Sequence, residues 1–223
     1  MTISLPSNFT LASFRFDLQA LEPFTLPPFW GSALRGAFGH TFKRLVCREP
    51  WPCDKKCRRG NICPYGYIFE TSPEEGTVLR NLSDVPRPFI IRSPAKASPQ
   101  ISAGDRLRFD LTLVGQSRSY LPYFIAVFRE LGRVGLGKQR GKYRLEQVTA
   151  LSPSGQASRP IYRAGDETIH AGDNPVTIET ILARSATLPA DRLTLQFLTP
   201  TRLKHQGRWV NEGPPFAVLV KAL

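Results

Sequence analysis

Three stretches of strict two-residue alternation and two apolar stripes at helical spacing occur in the order β-α-β-β-α-β, which predicts an α+β fold of the ferredoxin-like (RRM-like) kind. A third observation adds to this. Cys47, Cys53, Cys57 and Cys63 lie within seventeen residues directly after the first helix, and the chain has no other cysteines. They predict a four-cysteine metal loop, residues 47–63, inserted into that fold.

The first strand is read at residues 12–20, where Phe14, Phe16 and Leu18 alternate with Arg15, Asp17 and Gln19. Pro27 and Pro28 then introduce a helix, since proline is tolerated in a first turn. That helix is expected from about Trp30 to Val46, with Leu34, Phe38, Phe42 and Leu45 as its apolar stripe. Residues 65–70 (YGYIFE) read as a short strand, and 71–86 as a loop. Strands follow at 87–93 and 106–115, the second with Leu107, Phe109, Leu111 and Leu113 on one face. A second helix is expected over 119–132 with Pro122 in its first turn, and a last strand over 142–151. Residues 152–175 are rich in Ser, Pro, Gly and Asp and read as a linker, with a short strand around Ile161. Strands at 176–182 and 191–199, and the start of a helix after Pro215, open a second ferredoxin-like domain that is incomplete. The expected division is therefore 1–152 and 153–223.

Of the 223 residues 41% are hydrophobic, enough for a sizeable core. The formal charge is +12 and the isoelectric point is about 10.0. That balance points to a polyanionic partner bound through phosphate contacts. A membrane is not expected, because no apolar run reaches about 18 residues and no basic amphipathic helix is present. The N-terminus lacks the basic and apolar regions of a signal peptide. The expectation is a soluble, cytoplasmic protein.

The cysteine spacing is C-x5-C-x3-C-x5-C. Four thiolates close a tetrahedral shell around Zn2+ and leave no open position, so zinc here is expected to be structural. A cysteine-ligated iron–sulfur cluster is one alternative, and two disulfides in an oxidising compartment another.

Two further features carry chemistry. Gly132, Gly135, Gly137 and Gly141 are interleaved with Arg133, Lys138, Arg140, Lys142 and Arg144. The segment runs from helix to strand, so it is neither a Rossmann fingerprint nor a P-loop. A helix C-cap followed by a turn explains the glycines. The five cations point to contact with an RNA backbone. On the first helix His40 points away from the apolar stripe, with Lys43 and Arg44 at i+3 and i+4. Gly36 and Gly39 are expected to leave that surface low enough for a nucleic-acid strand. A histidine there can take a proton near neutral pH. Nearby cations can stabilise a phosphorane. An exposed histidine without a role is the alternative.

The segments PFWGSALRGAFGHTFKRLVC and YGYIFE, then GRVGLGKQRGKYRLEQV and LQFLTPTRLKHQGRW, resemble the RAMP superfamily of CRISPR systems. Within it the chain is most similar to the endoribonucleases that process precursor CRISPR RNA. The resemblance implies two ferredoxin-like domains, binding of CRISPR repeat RNA across a basic face, and cleavage without a catalytic metal. In that chemistry a base deprotonates the 2′-hydroxyl beside the scissile phosphate, leaving a 2′,3′-cyclic phosphate. By resemblance His40 is the base, with Lys43 and Arg44 as charge stabilisers. Arg35, Arg133, Lys138, Arg140, Lys142, Arg202 and Lys204 are expected to bind RNA. Tyr65 and Tyr67 are candidates for an assisting acid. Family members continue beyond PFAVLVKAL, so the second domain is expected to be short. Two alternatives remain open: a non-catalytic RAMP-type subunit of a CRISPR effector complex, with other effector subunits as partners, and a zinc-containing nucleic-acid-binding module.

Overall fold

A computed structural model describes residues 8–47, 62–71, 86–94, 99–189, 191–198, 201–210 and 213–222. The chain forms two compact units, Met1–Thr187 and Leu188–Leu223. The first unit thus continues past residue 152, where the sequence placed the boundary.

In chain order the first unit contains β1 (Thr10–Ala20), β2 (Phe24–Thr25), α1 (Gly31–Val46), α2 (Pro64–Ile68), β3 (Phe89–Arg92), β4 (Gln100–Ile101), β5 (Arg106–Val114), α3 (Leu121–Val134), β6 (Tyr143–Leu151), β7 (Ala157–Arg163), β8 (Val176–Thr177) and α4 (Ile178–Ser185). Among the described residues the main sheet has the order β3-β5-β1-β6-β7, all antiparallel, and β8 pairs with the start of β1. Without β7 and β8 this is the ferredoxin-like arrangement predicted from the element order, with α1 and α3 as its two crossovers.

The core lies between the sheet and the two long helices. Phe14, Phe16 and Leu18 of β1 and Leu107, Phe109, Leu111 and Leu113 of β5 supply the sheet side. Leu34, Phe38 and Phe42 of α1 and Phe124, Phe128 and Leu131 of α3 supply the helix side. Leu45, in the last turn of α1, is 47% exposed, so the stripe ends one turn early. Pro27 and Pro28 precede α1 rather than opening it, and buried Trp30 is its N-cap. Tyr143 is buried and its hydroxyl donates to the Phe128 carbonyl at 2.9 Å; burial pushes its pKa well above the ordinary tyrosine value.

Three expected elements differ. YGYIFE is not a strand: Pro64 sits in the first turn of α2, and Tyr65 and Ile68 are buried at a helical spacing of three. The short strand expected around Ile161 is β7, which spans Ala157–Arg163 as a hairpin partner of β6 closed through Gly155 at φ +84°. Pro160 and two register shifts break its alternation, as an edge strand tolerates. Only Val176 and Thr177 of the segment 176–182 are strand; Thr177 then caps α4, its Oγ1 accepting from the Thr180 amide at 3.4 Å.

The second unit contains β9 (Lys204–His205), β10 (Arg208–Trp209) and α5 (Phe216–Ala222). The short helix after Pro215 is as predicted. Residues 191–198 form no strand, and Leu193, Leu195 and Phe197 are all exposed: the alternation is present, but among the described residues no sheet takes up its apolar side. Among the described residues no helix is long and apolar enough to cross a membrane.

Candidate nucleic-acid interface

Because strand side chains alternate, burying Phe14, Phe16 and Leu18 turns Ser13, Arg15, Asp17 and Gln19 to the opposite face of the sheet. The register then lines up charged rows across three or more strands. Arg106 of β5 and Arg144 of β6 both pair with Gln19. In the next row Asp17 pairs with Arg108 and Gln147, and Gln147 with Arg163 of β7. A third row joins Arg92, Asp110, Arg15 and Thr149. An open groove of about 810 Å3 runs over this face, bordered by five arginines (15, 106, 108, 144 and 163) against the carboxylates of Asp17 and Glu146.

Ion pairs hold part of this face rigid. Asp110 accepts from Arg15 Nε at 2.9 Å and from Arg92 at 2.6 Å. Burial pushes the Asp110 carboxyl up, but the two guanidinium groups outweigh it and hold the pKa below the ordinary carboxylate value. The hydrogen bond to Asp110 correspondingly raises Arg15. Arg108 Nε donates to Asp17 at 2.6 Å, and Arg144 pairs with Glu146 and reaches Gln19 at 3.1 Å. Arg106 and Arg163 are exposed and, among the described residues, have no ion-pair partner. Of these sheet arginines only Arg144 was singled out from the sequence, as a cation of the glycine-rich segment, although the i, i+2 spacing of Arg106 and Arg108 beside buried Leu107 and Phe109 carries the signal.

The glycine-rich segment closes the same end of the sheet. Gly135 ends α3 at φ +94°, and a Cβ there meets the Arg140 carbonyl at 2.0 Å. Leu136 and Gly141 bridge, and Gly141 lies against the Phe24 ring, where a Cβ comes to 2.2 Å. Helix cap and tight turn thus account for these glycines. The cations point outward: Arg133 pairs with Glu130 at 3.7 Å and Lys142 with Glu22 at 3.3 Å. Lys138 and Arg140 on the turn are exposed and, among the described residues, have no ion-pair partner.

On α1 the predicted cluster around His40 does not assemble as expected. His40 is exposed, as the helical wheel predicted. Lys43 is only 1% exposed and its Nζ lies 5.7 Å from the Tyr65 ring centroid. Arg44 is exposed but pairs with Glu130 of α3 at 3.3 Å. Gly36 is open, whereas Gly39 is covered by Phe69, whose ring is 2.4 Å from where a Cβ would stand. Arg35 lies over the rings of Phe89 (4.8 Å) and Phe69 (5.6 Å) and serves as packing as well as charge. Tyr65 is buried beside Phe42 and Phe69, and Tyr67 stacks on Tyr120.

Cys47 is the C-cap of α1 and Cys63 the N-cap of α2. Cys53 and Cys57 lie outside the described residues, and with them the predicted metal shell. In the second unit the exposed residues Arg202 and Lys204 both lie against the indole of Trp209 on the β9–β10 hairpin.

Residues 9–174 match the protein family described as AF_1859_N, N-terminal domain. An uncharacterized protein of Archaeoglobus fulgidus is 27% identical over 143 residues, which is 64% of this chain and 47% of that one. Among solved structures, a chain of a partial Cas6-RT-Cas1–Cas2 complex and one of the Cas6-RT-Cas1–Cas2 complex are similar in fold, each with a TM-score of 0.55 at 14% identity. Both matches cover 97% of this chain, and 32% and 20% of the respective partners. The chain thus spans about half the length of the curated relative it matches and a third or less of the solved chains.

Proposed function

The chain belongs to the AF_1859_N family, and from that premise we propose that it is a CRISPR-associated RNA-binding protein that holds repeat RNA on the open face of its first unit. The carrying observation is the groove over the sheet, where five arginines stand against two carboxylates. Arg106 and Arg163, and Lys138 and Arg140 on the adjoining turn, keep their charges available for phosphate. The likeness of fold to a Cas6-containing complex and the resemblance of the sequence segments to the RAMP superfamily support the same direction.

The test is fluorescence anisotropy with labelled repeat RNA at several salt concentrations. Replacing Arg106 and Arg144 together by alanine is expected to weaken binding about tenfold or more. It should also flatten the salt dependence by about 1.4, at roughly 0.7 per phosphate contact to a single strand. Both side chains are exposed, so the fold should survive, which circular dichroism checks. Unchanged affinity and slope would show that RNA does not lie on this face.

The exposure of His40 favours a second reading on the same protein, that of a metal-independent endoribonuclease with His40 as general base. Lys43 and Arg44 are not proposed as its assistants, given where they lie. General base catalysis contributes roughly 10²–10⁴ in rate. His40→Ala is therefore expected to slow cleavage in EDTA at least about a hundredfold while leaving RNA affinity unchanged. A wild-type protein that binds repeat RNA and never cuts it would leave the binding-subunit reading alone.

A further inference from the structure

The β9–β10 hairpin is built as a stack. Its two-residue loop, Gln206–Gly207, has φ of +49° and +79°, the left-handed pair that suits the twist of a two-residue hairpin. His205 then pairs with Arg208 and Lys204 with Trp209. The Arg202 guanidinium lies 3.8 Å from the centroid of the Trp209 indole and Lys204 Nζ lies 4.5 Å from it. Cation–π attraction fixes the three side chains relative to one another. A two-stranded hairpin is only marginally stable alone, so this stack also holds the strands together.

The stack is not consumed by a core. Trp209 remains 45% exposed, and Arg202, Lys204, His205 and Arg208 are all exposed. Residues 201–210 include no acidic residue. Beside the indole lies a groove of about 710 Å3, bordered by His205, Gln206, Arg208, Trp209, Gly213 and Pro215. An exposed, preorganised aromatic plane surrounded by cations alone matches a ligand that is planar and anionic at once. Nucleotides of an unpaired strand have that chemistry, because their bases offer a π-face and their phosphates repeat along the strand. A base also stacks on the outer plane of an arginine, so a stack already made of indole and guanidinium can be extended by one more layer. Duplex RNA keeps its bases stacked on one another and offers a free face only at its two ends.

We propose that this hairpin is a binding site for single-stranded RNA, with one base stacked on the Trp209–Arg202 platform and the neighbouring phosphates held by Lys204 and Arg208. The proposal rests on the RNA-binding reading above and assigns the second unit its own subsite, with Trp209 as the residue that distinguishes unpaired from paired RNA.

The experiment uses the full chain and two labelled probes, a single-stranded decauridylate and a blunt RNA duplex. Trp209→Ala is expected to weaken decauridylate binding about tenfold, without changing its salt slope, and to leave duplex binding within about twofold. Trp209→Phe keeps the aromatic face and should retain most of the affinity. A decauridylate carrying 5-bromouracil should photocrosslink to Trp209 itself. If wild type binds the single strand while Trp209→Ala binds it equally well, or if the crosslink falls elsewhere, the hairpin proposal is overturned. If only the Arg106/Arg144 double variant weakens binding, the sheet-face reading stands and the hairpin fails. Absence of RNA binding by wild type overturns both.

Discussion

Replacing Phe38 by alanine is expected to destabilise the first unit by about 3–5 kcal/mol, the usual range for deleting a fully buried aromatic ring. Phe38 stands where the two helices and the sheet meet. Its ring stacks on Phe124 of α3 at 4.7 Å and lies 5.5 Å from Phe128, 5.2 Å from Phe42 and 5.6 Å from Phe89. The cluster continues through Phe128 to Phe109 (4.7 Å) and Phe16 (5.3 Å), so one ring couples α1 to the two central strands. Aromatic pairs in such geometry contribute about 0.5–1.5 kcal/mol each beyond the area they bury. The hole left by alanine cannot close easily, because its walls are rings already held by other rings. Urea denaturation is the check. Domains of this size are stable by only about 5–15 kcal/mol, so the midpoint should fall by roughly a fifth or more. A shift below about 1 kcal/mol would mean that the ring cluster is not the tight junction described.

The second large effect concerns charge. Asp110→Asn is expected to lower stability by about 2–3 kcal/mol at neutral pH, less than a fully buried pair loses because Arg92 is largely exposed. The substitution leaves Arg15 and Arg92 facing each other across a neutral amide. The sign with pH follows from the lowered carboxyl. A carboxylate whose folded pKa lies below its unfolded value of about 3.9 contributes stability above that value and loses it as pH falls through the folded one. Wild type should therefore lose stability more steeply than Asp110→Asn below about pH 4. Urea midpoints measured from pH 7 to pH 2.5 compare the two. Parallel curves would remove Asp110 as the source of the acid sensitivity.

Periodicity made the framework legible. β1, α1, β5, α3 and β6 each bury an apolar stripe, broken only at the last turn of α1 and at a bulge in β6, and those stripes determine the order of elements. The failures occur where a second constraint intervenes. Tyr65, Tyr67 and Phe69 alternate like a strand, but Pro64 supplies a helical first turn and Ile68 is the residue that packs. β7 was read only as a short strand around Ile161, because an edge strand with a proline and two register shifts shows little period. Leu193, Leu195 and Phe197 show a strand's period and form none, because a pattern reports what a segment can pair with and not whether a partner is there. The site was legible in sign more than in place. Helical spacing put Lys43 beside His40, yet the same spacing sets Lys43 against Tyr65 of α2, which a wheel drawn for α1 alone does not contain. The arginines of the sheet face needed only the alternation rule applied to the polar side of each strand.

The pairing of β8 with the start of β1 has an engineering corollary. Thr10 stands opposite Thr177 and Leu11 opposite Val176, so the first and last strands of the main sheet are neighbours, with α4 following the last one. Adjacent strands lie about 4.8 Å apart. A few residues therefore suffice to splice the segment Thr10–Thr177 into a surface loop of another protein, or to join these two points and open new termini in an exposed turn such as Ser152–Gln156. The sheet with its two long helices is in this sense a cassette, transplantable by both ends at once without stretching its host.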